Sequence, residues 1–251
     1  MPLTGTLDLS PYAGEAPLVE DLGTAQWELK EASILQILYE IDEVGLTSLL
    51  PPALHPTIPP TLLVNATKVP DSSVGPFTLA EVRIGCRAAT RPRGYLARAI
   101  CNSEDAASEL RKRWGYPVDV AEVDLVKTHY SVELSVIEDD ELILEAALID
   151  PEPISGNDIQ YLANLNLARV NRDGKPVTRL IQVDPEYTFH AADRGQAQIT
   201  DIDPGAWRLE EALPVYPVSA SYARADITMP AIRFLIDPEQ PPLKSVERVD
   251  K

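Results

Sequence analysis

The chain has 251 residues, of which 45% are hydrophobic and 24% charged, a balance typical of a globular protein. Its 39 acidic and 22 basic residues give a net charge of −17, which disfavours nucleic acid and anionic lipid as partners. No apolar run approaches the roughly 20 residues of a membrane-spanning helix. The N-terminus lacks the basic and apolar regions of a signal peptide, so we expect a cytoplasmic protein.

Cysteine and histidine are too few and too scattered for a structural metal site. The two cysteines are Cys86 and Cys101, and the three histidines lie far apart in the sequence. The two cysteines could sit on neighbouring strands and form a disulfide. We favour two reduced thiols, as in most intracellular proteins. We expect neither a metal nor another cofactor.

The first third of the chain predicts strands separated by irregular segments. Residues 1–24 show no periodicity and are interpreted as an N-terminal arm. Residues 27–41 are rich in Ile, Leu and Tyr and predict a strand. A short helix is expected within 42–54, where two prolines stop it. Residues 62–69 predict the next strand.

A hairpin and one helix follow. Residues 77–88 and 94–101 predict two strands joined by TRPRG, whose Pro and Gly suit a tight connection. The helix after them has N-cap residues at 102–103, acidic residues in its first turn and basic residues in its last turn. Gly115 is the predicted C-cap of this helix, and Pro117 prevents the helix from continuing.

Short strands alternate with turns over the rest of the chain. Residues 187–192 (YTFHAA) and 196–202 (QAQITDI) predict two separate strands, and 213–237 one or two more. No internal repeat or linker is present. The sequence therefore predicts a single domain over 1–251 of the α+β class, mostly β, with helices as minor elements.

Several segments together resemble the acetoacetate decarboxylase family. They are GPFTLAE (75–81) before the hairpin, WGYP (114–117) at the helix end, LLPPAL (49–54), 161–183 and 213–230. The resemblance covers roughly residues 27–237. It implies a curved antiparallel sheet that forms a cone-like β-barrel with a buried pocket and a few short helices. It also implies a homo-oligomer that acts on a small-molecule substrate.

The charged groups of the family's site are mostly replaced in this chain. In the family, two lysines follow the Tyr-Pro pair, and the first forms a Schiff base with the substrate after its neighbour has lowered its pKa. Here these positions hold Val118 and Asp119. The family's arginine on the first strand falls near Ala32, and a second glutamate falls near Asn65. Since no imine can form at Val118, Schiff-base decarboxylation is disfavoured.

Glu81 is the family's remaining charged group and the predicted catalytic acid/base. Strand alternation places Glu81 and Arg83 on one face. Arg83 then either anchors a substrate carboxylate bidentately or forms a surface salt bridge. Tyr116 matches a position beside the family's pocket and is the predicted donor to a substrate carbonyl, with helix-end packing as the alternative.

Three further residues are predicted to bind the substrate. Asn65 offers an amide for its carbonyl, with a solvated position near a strand end as the alternative, and Val118 occupies the lysine position. Lys30 lies two residues before Ala32, so alternation predicts the same strand face. It either replaces the lost cation or reaches into solvent, as most strand lysines do.

Three functions stay open at this point. The first is an enzyme that uses acid/base chemistry without covalent catalysis, in hydration, dehydration, isomerisation or cyclisation. The second is a non-catalytic protein that binds a small molecule in the same pocket. The third is a decarboxylase whose lysine has moved to Lys30, Lys68 or Lys127.

Overall fold

The computed structural model describes residues 3–43, 45–88, 90–172, 174–209, 212–241 and 244–249. Strands dominate this part of the chain. They are β1 (Leu18–Val19), β2 (Trp27–Ile41), β3 (His55–Pro56), β4 (Thr61–Val69), β5 (Phe77–Ala88), β6 (Arg91–Cys101), β7 (Val118–Val120), β8 (Glu122–Lys127), β9 (Ser131–Glu138), β10 (Glu141–Pro153), β11 (Asn164–Arg172), β12 (Lys175–Val183), β13 (Glu186–Ile202), β14 (Pro214–Met229), β15 (Phe234–Ile236) and β16 (Val246–Arg248). The helices are α1 (Tyr12–Glu15) and α2 (Glu104–Trp114), with 3-10 turns at Leu46–Leu49 and Gly156–Asp158.

The predicted strands β2 and β4, the hairpin of β5 and β6, and helix α2 are confirmed. The connection of the hairpin is shorter than TRPRG, because β6 already begins at Arg91. The helix predicted within 42–54 is a single 3-10 turn in the described residues. Residues 1 and 2 of the predicted N-terminal arm lie outside the described residues. The single domain stays a prediction.

Strand β13 corrects the prediction of two separate strands at 187–192 and 196–202. It is one strand of 17 residues that pairs with β14 up to Gly195 and with β10 from Asp193 onward. Gly195 lies within this strand, where the absence of a side chain lets β10 approach closely, because a Cβ there would lie 2.4 Å from the carbonyl oxygen of Ile149.

The strands form one large sheet in the order β16-β15-β12-β11-β6-β5-β4-β2-β14-β13-β10-β9-β8. The sheet is mixed, not antiparallel throughout, because β1–β11, β6–β11 and β6–β7 pair in parallel. Its two ends, β16 and β8, do not pair with each other within the described residues. The closed barrel that the resemblance implies is therefore not confirmed.

The sheet curves until β8 packs over β4, β5 and β6. Lys68 Nζ donates to the carbonyl of Leu125 at 3.1 Å, and Asn102 Nδ2 donates to the carbonyl of Val123 at 3.3 Å. The apolar faces that this curvature encloses are rich in Leu, Ile and Val, which suit a pleated and buried surface. A second core, around Trp27 and Trp114, lies beneath α2.

Helix α2 is defined at both ends by the residues that the sequence predicts. Ser103 accepts from the amide of Ala106, and Gly115 adopts the left-handed conformation with φ 65°. A Cβ at Gly115 would lie 2.4 Å from the Cβ of Ala168, so the helix end is tight against β11. This contact fixes the next residue, Tyr116.

Two further findings concern the cysteines and the helices. Cys86 on β5 and Cys101 on β6 are both buried and free, so they form no disulfide. Among the described residues, no helix is long and apolar enough to cross a membrane.

Candidate active site

Glu81 and Arg83 form a buried ion pair on strand β5. Arg83 Nη2 donates to Glu81 Oε2 at 2.5 Å, and the two residues are 3% and 6% exposed. They share one strand face, as the alternation predicts. A surface salt bridge, the alternative for Arg83, is wrong because both side chains are buried. Burial lowers the pKa of Arg83, but the Glu81 carboxylate together with Tyr116 and Tyr187 outweighs burial, so the net pKa lies above its ordinary value.

Gly94 makes room for Arg83. Gly94 lies on β6 opposite Gly85. A Cβ added at Gly94 would lie 3.0 Å from Arg83 Cδ and 3.2 Å from Arg83 Cβ. Arg83 also donates through Nη1 to the carbonyl of Leu162 at 3.4 Å. The guanidinium is thus held between Glu81 and the segment that precedes β11.

Asn164 joins Glu81 to Tyr116 through a single amide nitrogen. Its Nδ2 donates to Glu81 Oε1 at 2.9 Å and to the hydroxyl of Tyr116 at 3.1 Å, and Asn164 is 2% exposed. Both oxygens of the Glu81 carboxylate are therefore hydrogen-bonded. Sequence reasoning missed Asn164. The signal was the NLNLA pattern of 164–168, in which polar residues alternate with apolar ones on a strand that is buried on both faces.

Tyr116 remains a hydrogen-bond donor within this cluster. Burial, and next the nearby Glu81 charge, raise its pKa well above the ordinary value, so the phenol stays protonated. Because Asn164 donates to the phenolic oxygen, the hydroxyl proton is available to another acceptor.

Asn65 lies directly opposite Glu81 in the β4–β5 pairing. It is 3% exposed, and its Oδ1 has no hydrogen-bond partner among the described residues. The Nε of Arg83 is likewise buried without a partner in this part of the chain. Buried polar groups normally find partners, so both atoms are candidates to contact a ligand.

These residues surround a small cavity of about 40 Å³. Apolar side chains of β2, β5, α2 and β14 complete its wall: Leu29, Ile34, Phe77, Leu79, Leu110, Ile227 and Met229. Tyr187 of β13 also lines it, stacks with Phe189 and contacts the tilted ring of Tyr161. Burial raises the pKa of Tyr187, and the charge of Arg83 opposes this rise. Such a volume suits only a small ligand.

The structure does not bring Val118 to this cavity. Val118 is buried, and it lines a separate cleft together with Asp119. Asp119 accepts from Arg98 Nε at 2.9 Å. The positions of the family's two lysines therefore carry an apolar core residue and a partner of Arg98.

The lysines also lie away from the cavity. Lys30 is 60% exposed and pairs with Glu28 and Asp226. The prediction that Lys30 shares the face of Ala32 is wrong, because Glu31 forms a bulge with φ 52° that breaks the alternation. Lys68 donates to the carbonyl of Leu125, and Lys127 pairs with Asp193 at 2.5 Å. No lysine lines the cavity in the part of the chain that the structure describes.

One group of side chains has the composition of a metal site. Glu31, His190 and Asp226 place three ligand atoms within 4.8 Å of one another, and all three lie outside the cavity lining. Asp226 already accepts from the amide of Glu31 at 2.9 Å and from Lys30 at 3.2 Å. The cations around this group favour an ion-pair network over a bound cation.

A curved, mostly β sheet that encloses a buried carboxylate–guanidinium pair defines this chain as a small β-rich protein with an internal polar site. The chain belongs to the acetoacetate decarboxylase (ADC) family, whose model matches residues 15–238. No curated protein matches the sequence significantly.

Solved structures of the family share the fold. An acetoacetate decarboxylase has 20% identity and a TM-score of 0.74 over 83% of this chain and 88% of its own. The enzyme from Legionella pneumophila subsp. pneumophila str. Philadelphia 1 has 18% identity and a TM-score of 0.73 over 92% and 97%. The enduracididine biosynthesis enzyme MppR, in complex with pyruvate, has 14% identity and a TM-score of 0.67 over 93% and 97%.

Proposed function

We propose that this protein is an acetoacetate decarboxylase-like enzyme that acts without a covalent intermediate on a small carbonyl or keto-acid compound. Glu81 is the acid/base, Arg83 binds the substrate carboxylate and Tyr116 donates to its carbonyl. The observation that carries the proposal is the buried cluster of Glu81, Arg83, Asn164 and Tyr116 around a small cavity whose described lining contains no lysine.

Substrate binding itself would prepare the base. A substrate carboxylate at Arg83 competes with Glu81 for the guanidinium and weakens their ion pair. A carboxylate that loses its counter-charge in an apolar cavity has a higher affinity for protons, so Glu81 becomes a stronger base. Tyr116 would stabilise the negative charge that develops on the substrate oxygen.

Reactions that need only proton transfer and orientation suit these groups: enolisation, hydration or dehydration, isomerisation and cyclisation. MppR, which shares the fold, was crystallised with pyruvate and with the condensation product of pyruvate and imidazole 4-carboxaldehyde. A small keto acid is therefore a sensible first compound to test. Homo-oligomerisation and a cytoplasmic location stay predictions.

One observation favours the alternative of a non-catalytic binding protein. Both carboxylate oxygens of Glu81 are occupied, by Arg83 at 2.5 Å and by Asn164 at 2.9 Å. A carboxylate held in this way can serve as a fixed part of a binding site. The decarboxylase with a relocated lysine is the weakest alternative, because Lys30, Lys68 and Lys127 all have partners outside the cavity.

Exchange of the methyl protons of pyruvate in D2O, followed by proton NMR, separates enzyme from binder. We expect the protein to accelerate the exchange, and Glu81→Gln to lower that rate by about 10²-fold or more. Glu122→Gln, at an exposed position on β8, is the matched control. Binding of pyruvate without faster exchange would favour the binding protein.

Borohydride trapping with acetoacetate and pyruvate, read by intact mass, tests the absence of an imine. We expect no mass increase. An adduct that maps to Lys30, Lys68 or Lys127 would overturn the non-covalent proposal and restore Schiff-base chemistry.

A further inference from the structure

A second cleft lies where strands β6 and β11 separate. The two strands pair in parallel only at Gly94–Asn164 and Tyr95–Leu165. Further along, the two strands pair with different neighbours. Strand β6 pairs with β7 from Ala99 onward, and β11 pairs with β1 from Arg169 onward. The cleft, of about 440 Å³, occupies the fork between them, and we call it the fork cleft. It can accommodate a larger molecule than the cavity at Glu81, whose volume is about 40 Å³.

Part of the fork-cleft lining is apolar and buried, and we call this part its floor. It consists of Tyr95, Leu96, Val118 and Leu167, which are each at most 5% exposed. Tyr12 and other residues of the segment 11–17 also line the cleft. An apolar floor of this kind stabilises an apolar ligand body by removing it from water.

Four charged residues stand around this floor, and two of them are already engaged. Arg111 donates to the carbonyl of Val118 at 2.8 Å and to Glu104 at 2.9 Å. Asp119 accepts from Arg98. The other two, Glu15 and Arg208, are exposed and make no side-chain hydrogen bond or ion pair with any residue that the structure describes. The fork cleft therefore offers one free charge of each sign.

The backbone fixes Arg208 at the rim of the fork cleft. Its φ is 57°, a left-handed conformation that costs energy for any residue other than glycine. The amide of Arg208 donates to the carbonyl of Gly205, and the preceding Trp207 is fully buried with Nε1 donating to Ile143 at 3.0 Å. Strained backbone is common at binding sites, and Arg208 combines it with a guanidinium that has no partner within the part of the chain that the structure describes.

From this arrangement we propose that the fork cleft binds a zwitterion with an apolar body, of the class of the neutral amino acids. Arg208 binds its carboxylate, Glu15 binds its ammonium group and the floor takes its apolar side chain. The four charged lining residues sum to zero, and a protein of net charge −17 repels free anions but not a neutral zwitterion. The site is independent of the reaction proposed at Glu81.

The first test is titration calorimetry with L-leucine on the full chain. L-leucine methyl ester, which lacks the carboxylate, and N-acetyl-L-leucine, which lacks the ammonium, are the matched probes. We expect L-leucine to bind at least about tenfold more tightly than either, because each loses one charged hydrogen bond. Equal binding of a blocked probe would overturn the zwitterion class. The absence of heat and of ligand-observed NMR signal for all three would overturn the site.

Two variants locate the binding. Glu15→Gln and Arg208→Gln should each weaken L-leucine binding by about tenfold, while the exposed controls Glu122→Gln and Arg194→Gln should leave it unchanged. All four positions are exposed, so loss of folding is not expected, and circular dichroism checks this. Unchanged binding in both cleft variants would place the ligand elsewhere and overturn the proposal. Oligomerisation that covers the fork cleft, seen by light scattering together with no binding, would overturn it as well.

Discussion

Arg83 Nη2 lies 2.5 Å from Glu81 Oε2, and both side chains are buried in the wall of one cavity. The two residues are neighbours on the same face of β5, so their distance is set by strand geometry and not by a mobile loop. The pair is at once the charged centre of the proposed site and a buried part of the fold. Its two roles can be separated by experiment.

Arg83→Met should lower the free energy of unfolding by about 3–5 kcal/mol, because it leaves the buried Glu81 carboxylate without its counter-charge. Urea denaturation followed by fluorescence measures this change. The double variant Glu81→Gln/Arg83→Met removes both charges and should be clearly more stable than the single variant. If the two variants unfold at the same urea concentration, the ion pair does not have the structural role assigned to it.

Gly94→Ala tests whether the position of Arg83 matters for function. The new Cβ would lie 3.0 Å from Arg83 Cδ, so the Arg83 side chain must move by about a few tenths of an ångström. A misplacement of about 1 Å can lower a rate by about 10²-fold, so we expect this smaller shift to lower the pyruvate exchange rate by about threefold to tenfold. Gly14→Ala is the matched control, because nothing lies within 4 Å of its new Cβ. An unchanged exchange rate in Gly94→Ala would show that Arg83 adjusts without consequence.

Tyr116 should remain protonated well above pH 10, because burial raises the pKa of its phenol. A group whose pKa is higher in the folded than in the unfolded state contributes fully to stability at pH values below its unfolded-state pKa. This contribution is lost progressively as the pH rises from the unfolded-state pKa through the folded-state pKa. Tyr116→Phe should therefore reduce the loss of stability between about pH 10 and 12. The number of ionised tyrosines can be followed by the absorbance at 295 nm as the pH is raised. Up to pH 11 we expect the same number in the folded unmodified protein and in the folded Tyr116→Phe variant. One phenolate fewer in the variant would contradict the raised pKa.

The parts of the fold that local patterns determine could be predicted from the sequence. Helix α2 has its caps at Ser103 and Gly115, and the long apolar run gives β2. The shared face of Glu81 and Arg83 follows from strand alternation alone, as long as no bulge separates them. Burial of their ion pair does not follow, since it depends on strands far away in the sequence.

The errors arise where distant elements change a local pattern. Glu31 bulges out of β2, which moves Lys30 away from the face of Ala32. Gly195 continues a long strand because β10 approaches its backbone. Asn164 reaches Glu81 across 83 residues of sequence, a contact that no spacing rule could indicate.

The bulge at Glu31 leads to the last prediction, which concerns stability in acid. Asp226 Oδ1 accepts from the amide of Glu31 at 2.9 Å and lies 3.2 Å from His190 Nε2, while Lys30 donates to Oδ2 at 3.2 Å. First the Glu31 amide, then His190 and Lys30, lower the pKa of Asp226 to about 2 from its ordinary 3.8. A group whose pKa is lower in the folded than in the unfolded state stabilises the fold at pH values above its unfolded-state pKa. This stabilisation is lost as the pH falls through the folded-state pKa.

Asp226→Asn keeps an oxygen that can accept from the Glu31 amide but removes the ionisable carboxyl group. We therefore expect the stability of the variant to depend less on pH between about 4 and 2 than that of the unmodified protein. Thermal unfolding at half-unit pH steps measures this slope. The exposed Asp201→Asn on β13 is the control and should retain the original slope. If the Asp226→Asn and unmodified proteins lose stability in parallel over this window, the carboxylate does not hold the bulge in its ionised form. The break in alternation at Glu31 must then be maintained by the pairing of β2 with β14 alone.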